Sequence, residues 1–262
     1  MIQAESAYQT GGTTRASYQT CDTCQCRKKI VHIFSLRYSW PMQRIITSLL
    51  IALLAAATYA ADVTHPTNRW EKDIAAFEAA DHGHLPQTNA ILFIGSSGIR
   101  MWTTLANDFP EHRVINRGFG GSQIADATYF ADRIVFPYKP KMIVMRAGTN
   151  DLAAEKTVEQ VAADFQAFVA KVREQLPESD ILYVGMNPTP LRWNQHTREV
   201  AVNAAIAAFA KTAPHVQYLD TNDQFLDANG QPCADLIAAD RLHFNAEGYK
   251  TLTALIRPRL PK

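Results

Sequence analysis

The chain has 262 residues, of which 47% are hydrophobic and 19% are charged, and both proportions are ordinary for a globular protein. Its 26 Lys and Arg residues balance 25 Asp and Glu residues, so the formal net charge is +1. This balance gives no support for a protein that binds nucleic acid, a polyanion or an acidic membrane surface, because such proteins normally show a basic excess.

The segment 42–60 has the composition of a targeting sequence. It reads MQRIITSLLIALLAAATYA, in which the basic Arg44 precedes an uncharged apolar run and small residues follow. The run covers about 13 residues, fewer than the roughly 20 that span a bilayer. We therefore predict a secretory signal peptide that is cleaved after Ala60, and a secreted or periplasmic protein with no stable membrane insertion. An uncleaved membrane anchor and a buried helix are the alternatives.

Residues 1–41 precede this segment, although a signal peptide normally begins a protein. Met42 is therefore the expected start, and residues 1–41 are expected to be an upstream translation artefact or a disordered extension. A metal- or redox-binding appendix is the alternative, because the segment holds Cys21, Cys24 and Cys26, although a structural zinc site needs four ligands. Cleavage would leave Cys233 as the one cysteine of a catalytic domain at 61–262, which would fold without an internal disulfide.

From residue 68 onwards, short apolar runs alternate with longer amphipathic ones. The short runs predict strands covered on both faces, at Ala90–Ile94, Arg113–Asn116, Met142–Arg146, Ile181–Gly185 and Val216–Leu219. Apolar residues three or four apart predict helices, at Asn68–Ala80, Ser122–Ile134, Val158–Leu176, Arg198–Lys211 and Asn245–Ile256. This alternation indicates an α/β protein, a three-layer α/β/α sandwich with a mostly parallel five-stranded sheet.

In an open α/β sheet the site lies at the carboxyl ends of the strands, so chemistry is expected just after each apolar run. The first run ends in Gly95-Ser96-Ser97-Gly98. A serine at a strand end and helix start has backbone donors beside its oxygen and lies in the positive field of the helix terminus. Taken alone, this segment is also compatible with an ordinary N-cap serine, and a phosphate loop would need a fuller glycine pattern.

Three later segments carry further polar groups. The second strand is followed by the glycine-rich sequence NRGFGGS at 116–122, where an exposed N–H could bind an oxyanion, and the third by Asn150, whose amide could do the same. Asp240 and His243 lie three positions apart, so the carboxylate can orient the imidazole. Taken alone, the glycine-rich sequence is also compatible with a tight turn, and the Asn150 segment with an Asn/Asp turn, which is the interpretation preferred for Asp151. Asp240 and His243 alone are also compatible with a surface charge pair.

In this order the four segments make residues 90–249 resemble the SGNH superfamily, also called GDSL-like hydrolases. The resemblance implies a flavodoxin-like fold. It also implies that Ser97 is the nucleophile, that His243 is its base and that Asp240 orients this base. The Gly121 N–H and the Asn150 side chain are the implied oxyanion donors. One departure is Ser96, which stands where the family's motif has Asp. We interpret it as a change in local hydrogen bonding and substrate preference, not as a loss of activity.

The implied activity is hydrolysis of an acyl ester through an acyl-enzyme intermediate, with no cofactor and no metal ion. A small-molecule or glycan ester is the expected substrate, and short-chain, acetylated-carbohydrate and lysophospholipid-like esters all remain open. An imidazole base predicts activity that rises through about pH 6–7. A non-catalytic ligand- or carbohydrate-binding protein on the same fold is the alternative, and a flavodoxin-like nucleotide binder would leave Asp240 and His243 unexplained.

Three residues are further candidates for substrate binding. Arg100 and Arg146 lie beside the serine and asparagine segments and could meet an acidic group on the substrate, with a scaffold salt bridge as the alternative. Trp193 follows the fourth strand and could line an acyl or sugar pocket, or simply pack on the sheet. His82 and His84 form a His-x-His pair that we interpret as part of a surface turn, not as metal ligands.

Overall fold

The computed structural model of the protein describes residues 69–83 and 88–261. These described residues belong to one compact unit. The predicted extension at 1–41, the predicted signal peptide at 42–60 and His84 therefore lie outside the described residues. In the described part of the chain, no helix is both long and apolar enough to cross a membrane.

A five-stranded sheet, parallel throughout, forms the centre of the unit, in the order β2-β1-β3-β4-β5. The strands are β1 (Ile91–Gly95), β2 (Val114–Gly118), β3 (Met142–Arg146), β4 (Asp180–Val184) and β5 (Val216–Leu219). The five predicted strands are confirmed, and their bounds differ by one or two residues at most. The predicted parallel α/β architecture is confirmed with them.

Helices connect the strands and cover both faces of the sheet. They are α1 (Glu71–Asp81), α2 (Ser97–Arg100), α3 (Leu105–Asp108), α4 (Ile124–Tyr129), α5 (Ala131–Ile134), α6 (Thr149–Ala153), α7 (Val158–Gln175), α8 (His196–Ala210) and α9 (Ala246–Ile256). Short 3-10 turns lie at Phe136–Tyr138, Pro190–Gln195, Asp223–Phe225, Ala234–Leu236 and Arg257–Arg259.

The predicted helix at Ser122–Ile134 is wrong as a single element. It begins at Ile124 and is divided into α4 and α5 at Phe130, whose ψ of 4° is not helical. The break lets the Phe130 ring enter the core, where its centroid lies 6.1 Å from that of Phe119 in an edge-to-face contact. Burial of the ring thus overrides the helical periodicity of the segment.

The two faces of the sheet bury separate apolar cores, as the alternation of side chains along a strand requires. Ile91 and Phe93 face the side that carries α9, which contributes the fully buried Leu252 and Ile256. Leu92 and Ile94 face the other side, which is covered largely by α7 and α8 through Val161, Phe165, Phe168, Val172, Val202 and Ile206. The predicted three-layer arrangement is confirmed.

Local sequence signals explain where the principal helices begin. In α7, Thr157 forms a capping box with Gln160: the Gln160 N–H donates to the Thr157 hydroxyl at 3.2 Å, and the Thr157 N–H donates to the Gln160 side chain at 2.8 Å. In α9, Asn245 is the predicted N-cap, and its Oδ1 accepts the Gly248 N–H at 3.0 Å. The first turn of each helix is therefore fixed by a side chain from the residue just before it.

The strand order positions the site. Strand β1 has β2 on one side and β3 on the other. The chain therefore goes from β1 to β2 in one direction across the sheet and then crosses back to β3 on the other side of β1. The segments after these two strands diverge, and a crevice opens at their carboxyl ends. Ser97 follows β1 and Asn150 follows β3, so they lie on opposite sides of this crevice.

Candidate active site

The end of β1, just before Ser97, lies very close to the end of β3. Gly95 ends β1 with φ of 147°, and a Cβ there would lie 2.0 Å from the Arg146 carbonyl oxygen. Only glycine combines this backbone conformation with this proximity. The chain passes directly into α2, where Ser97 is the first residue and is half-buried at the crevice.

The Ser97 hydroxyl begins a chain of hydrogen-bonded side chains. Its Oγ lies 2.8 Å from His243 Nε2, and His243 Nδ1 lies 2.6 Å from Asp240 Oδ2. The remaining carboxylate oxygen of Asp240 accepts the N–H groups of His243 and Leu242 at 2.9 and 3.0 Å. Backbone donation from His243, then its imidazole and then the Leu242 N–H lower the pKa of Asp240 to about 2.

The ionised state of Asp240 determines which nitrogen of the His243 imidazole carries the proton. A carboxylate accepts hydrogen bonds only, so His243 Nδ1 must carry the proton that Asp240 binds. In the neutral ring, Nε2 is then the acceptor that faces Ser97. A base at Nε2 and a hydroxyl 2.8 Å away form the arrangement that activates a serine oxygen for attack.

Backbone contacts hold the loop that carries His243. Arg241 adopts a left-handed conformation with φ of 64°, and the Ala238 N–H donates to the His243 carbonyl at 2.7 Å. From α9, the Tyr249 hydroxyl donates to the Gly98 carbonyl at 3.1 Å. Because Gly98 follows Ser97 directly, this bond ties the last helix to the turn that presents the serine. No local sequence pattern predicts this role of Tyr249, because the contact spans 151 positions.

The glycine-rich turn lies against the end of β1, next to Asn150. The Phe119 N–H and the Ser122 hydroxyl both donate to the Gly95 carbonyl, at 3.0 and 3.3 Å. The Asn150 amide donates to the Ser122 carbonyl at 3.0 Å. Gly121 has φ of 77° in this turn. Among the hydrogen bonds of the described residues, none uses the backbone N–H of Ser97 or Gly121, so both can donate to a ligand.

A cavity of about 40 Å³ opens beside Ser97. Its wall is built from the ends of β1 and β3, the segment after β4 and the His243 loop, and it includes Ser97, Asn150, Arg146, Asn187, Thr189, Arg192 and His243. Gly121 lies in the adjoining turn and not on this wall. Within residues 69–83 and 88–261, no three His, Cys, Asp or Glu side chains are grouped as metal ligands.

Residues 94–251 match the family described as GDSL-like Lipase/Acylhydrolase. The chain belongs to this family. The match covers all the segments that carry the predicted site residues of this GDSL-like protein. A comparison with curated protein sequences finds no significant match.

Solved structures share the fold of this family member at low sequence identity. A candidate platelet activating factor from Streptococcus pneumonia is 21% identical with a TM-score of 0.67, and the alignment covers 83% of this chain and 99% of that one. A GDSL-like lipase from Bacteroides thetaiotaomicron is 18% identical (TM-score 0.62; 71% and 96% covered). An acetyl-xylooligosaccharide esterase from Geobacillus is 17% identical (TM-score 0.54; 68% and 97% covered).

The three residues predicted to bind substrate lie in different places. Arg146 lines the cavity beside Ser97. Arg100 is exposed and lies against Gly120, outside the cavity wall. Trp193 stacks on His196 with ring centroids 4.5 Å apart and faces a neighbouring groove of about 410 Å³. The structure thus brings Arg146, but not Arg100 or Trp193, to the cavity that holds Ser97 and His243.

Asp151 is a structural residue of the site that sequence reasoning treated as part of a turn. It is fully buried, and its carboxylate accepts the Ile124 N–H at 3.3 Å and the Lys156 ammonium at 3.0 Å. Burial raises its pKa to about 6. The side chain joins the asparagine segment to the first turn of α4, which follows the glycine-rich turn. Spacing could not reveal this role, because Asp151 reaches Ile124 across 27 positions.

Proposed function

We propose that this family member is a serine-dependent carboxylic ester hydrolase that forms an acyl-enzyme on Ser97. The observation that carries the proposal is the hydrogen-bonded series from Asp240 through His243 to the Ser97 hydroxyl, with distances of 2.6 and 2.8 Å. A non-catalytic binding protein on the same fold would have no need of this alignment. Membership of an acylhydrolase family supports the same reaction class.

Acylation transfers one proton and exchanges one carbon–oxygen bond. His243 Nε2 takes the Ser97 proton as Oγ attacks the ester carbonyl carbon, and the carbonyl electron pair moves onto its oxygen. The Ser97 N–H, the Gly121 N–H and the Asn150 amide donate to that oxyanion. The intermediate then expels the alcohol oxygen, which takes the proton from His243.

Deacylation repeats these steps with water. His243 takes a proton from a water molecule whose oxygen attacks the acyl carbon. Collapse of the second oxyanion breaks the bond to Ser97 Oγ, which recovers its proton from His243 while the carboxylic acid leaves. Asp240 stays ionised throughout and stabilises the imidazolium that forms in each half-reaction. The backbone donors that lower its pKa to about 2 support this role.

The size of the cavity supports a short acyl group. A cavity needs about 10–15 Å³ to hold a single water, so a cavity of about 40 Å³ holds roughly three water-sized positions. An acetyl group suits such a space, whereas a long alkyl chain would have to run outside it. We therefore propose a small-molecule or glycan ester with a short acyl chain as the substrate, and not a lipid ester.

The proposed place of action is outside the cytoplasm. The proposal rests on the apolar segment 42–60, whose layout is that of a signal peptide. After cleavage, the remaining chain would act in the periplasm or the external medium.

The decisive experiment compares hydrolysis of 4-nitrophenyl acetate, butyrate and octanoate by the wild type and the Ser97→Ala variant. We expect Ser97→Ala to lose activity on the order of 10⁴-fold or more, because residues of a triad act as a unit. Ser96→Ala is the matched control, since this neighbouring hydroxyl forms no hydrogen bond with His243 among the described residues, and it should retain far more activity. Acetate should be preferred to octanoate.

A second measurement does not depend on the choice of ester. An organophosphonate should add covalently to the wild type and to Ser96→Ala, but not to Ser97→Ala, as measured by intact-protein mass. Equal hydrolysis and equal labelling in the wild type and Ser97→Ala would refute the proposed nucleophile. A wild type that neither labels nor hydrolyses any ester would favour a binding protein instead.

A further inference from the structure

Two arginines form part of the cavity wall beside Ser97. Arg146 ends β3, and Arg192 lies in the turn Pro190–Gln195 that follows β4. Among the described residues that line the cavity there is no Asp or Glu. Neither arginine forms an ion pair with any carboxylate in the described part of the chain. The cavity therefore carries two positive charges with no carboxylate on its wall to balance them.

Two other cations of comparable burial, Arg117 and Lys156, are paired with carboxylates, whereas Arg173 donates only to backbone carbonyls. The Arg117 guanidinium lies 2.7 Å from Asp81, and the Lys156 ammonium lies 3.0 Å from Asp151 and 2.7 Å from Asp164. This pattern is expected, because an unpaired buried charge destabilises a protein strongly. The two arginines of the cavity, like Arg173, have no carboxylate partner among the described residues, but they line a cavity that also contains Ser97.

The contacts of Arg146 leave part of its guanidinium unused. Nη2 donates to the Asn187 side chain, and the guanidinium carbon lies 4.6 Å from the centre of the Phe244 ring. Its Nε is buried with no hydrogen-bond acceptor among the described residues. Burial lowers the pKa of Arg146, so the charge is held in an unfavourable environment. Arg192 donates at 2.7 Å to the Thr149 carbonyl, which is a neutral acceptor and does not balance its charge.

A buried hydroxyl on the same wall is also without a partner. Thr189 is 4% exposed and lines the cavity, and its Oγ makes no hydrogen bond within the described residues. A buried polar atom that forms no hydrogen bond destabilises a protein, and such atoms are uncommon. The cavity wall therefore combines two guanidinium groups with a hydroxyl, and these hydrogen-bond donors suit a ligand with acceptor oxygens.

Glu199 is the acid whose field reaches both arginines, but it forms no hydrogen bond or ion pair with either within the described residues. Glu199, on α8, lies behind the wall and accepts from the Gln195 side chain at 3.1 Å. Its second oxygen is buried without a hydrogen bond in the part of the chain that the structure describes. Burial raises the pKa of Glu199 to about 7, so at neutral pH it is charged only in part. The two arginines therefore retain net positive charge at the cavity.

We propose that this cavity binds a carboxylate carried by the ester substrate, held by Arg146 and Arg192 with the Thr189 hydroxyl. The inference rests on the proposed esterase function and names its substrate class, which is an acidic ester. The planar guanidinium matches the geometry of a carboxylate. Because the cavity is small and also contains Ser97, the carboxylate must lie only a few bonds from the scissile carbonyl, in either the acyl half or the alcohol half.

Two pairs of matched esters distinguish these halves. The acyl pair is mono-4-nitrophenyl succinate and 4-nitrophenyl 4-methylpentanoate, which have the same shape but differ in charge. The alcohol pair is acetylsalicylate and its neutral analogue 2-acetoxybenzamide. For the pair whose carboxylate occupies the cavity, we expect kcat/KM of the acidic member to exceed that of the neutral member about 10- to 100-fold.

Variants of the full-length protein test the assigned arginines through this ratio. Arg146→Gln and Arg192→Gln should each lower the acidic-to-neutral ratio about tenfold or more, and Arg146→Lys should keep part of it because the charge remains. Arg113→Gln is the matched control. Arg113 is exposed at the opposite end of the sheet, before β2, so the same loss of net charge should leave the ratio unchanged.

Each result supports or overturns the inference. Ratios near one for both pairs in the wild type would overturn it, as would high ratios that persist in both Gln variants. Equal losses on acidic and neutral esters in Arg146→Gln, with Arg146→Lys no better, would make Arg146 a scaffold residue and overturn its assignment.

Binding separates this inference from the proposed function. Calorimetry should detect the preferred acidic ester bound to Ser97→Ala, and the signal should be lost in the Ser97→Ala, Arg146→Gln double variant. If the wild type cleaves no ester but this binding pattern holds, the carboxylate site stands while the esterase proposal fails. If Ser97-dependent cleavage occurs without charge preference, the reverse is true.

Discussion

Glu199 offers a test of how burial controls a charge behind the cavity. It lies on α8 with 1% of its surface exposed, and the Gln195 amide donates to it at 3.1 Å. Replacement by Gln keeps an acceptor for Gln195 and removes the charge at every pH. We predict that Glu199→Gln is more stable than the wild type above pH 7 and equally stable below pH 4.5.

The magnitude follows from the pKa. Burial raises the pKa of Glu199 from its ordinary 4.5 to about 7, although the Gln195 hydrogen bond and the fields of Arg146 and Arg192 lower it in part. A group whose pKa is raised by folding contributes its full stability below pH 4.5 and loses it as the pH rises through about 7. The difference of about 2.5 units corresponds to roughly 3 kcal/mol at pH 8.5.

Urea unfolding between pH 4.5 and 8.5, followed by tryptophan fluorescence, measures this difference directly. Glu174→Gln is the control, because Glu174 is exposed on α7 and the same loss of charge there should have little dependence on pH. A stability difference that stays constant with pH, or a Glu199→Gln variant that is less stable at pH 8.5, would refute the argument that burial dominates at this carboxyl.

Three further predictions follow from single contacts. Asp81→Ala should lower the free energy of unfolding by about 3–5 kcal/mol, because it leaves the buried Arg117 unpaired; a chemical-denaturation loss under 1 kcal/mol would contradict this. Asp240→Asn should reduce kcat on 4-nitrophenyl acetate by about 10⁴-fold, because the amide favours the wrong tautomer of His243. Asn150→Ala should reduce kcat by about 100- to 1000-fold with little change in KM, and a change in KM alone would assign Asn150 to ground-state binding.

The sequence predicts the sheet well because each strand is recognisable from a local apolar run. The rule that chemistry follows the carboxyl ends of parallel strands then leads to Ser97 and Asn150, and the Asp240–His243 spacing supplies the remaining pair. Within the described residues, all four side chains lie where this reasoning expects them, at one edge of the sheet. The catalytic roles themselves stay predictions until the substitutions are made.

Features that depend on contacts between distant segments could not be predicted in this way. Phe130 breaks a helix because its ring packs against Phe119, and periodicity contains no information about that core. Asp151 and Tyr249 reach across 27 and 151 positions, so no local pattern marks them. Arg192 faces the cavity while its neighbour Trp193 faces another groove. The direction of a side chain in a 3-10 turn depends on tertiary packing.

The distance along the chain between Ser97 and His243 has a consequence for biosynthesis. The two residues are 146 positions apart, and the Tyr249 hydroxyl of α9 also contacts the Ser97 turn. A nascent chain that ended after β5 would possess Ser97, Gly121 and Asn150 but lack the imidazole, and one face of its sheet would be bare where Leu252 and Ile256 pack. Such a chain would be inactive and prone to aggregation. Activity would begin only when α9 docks, after translation of nearly all the residues described.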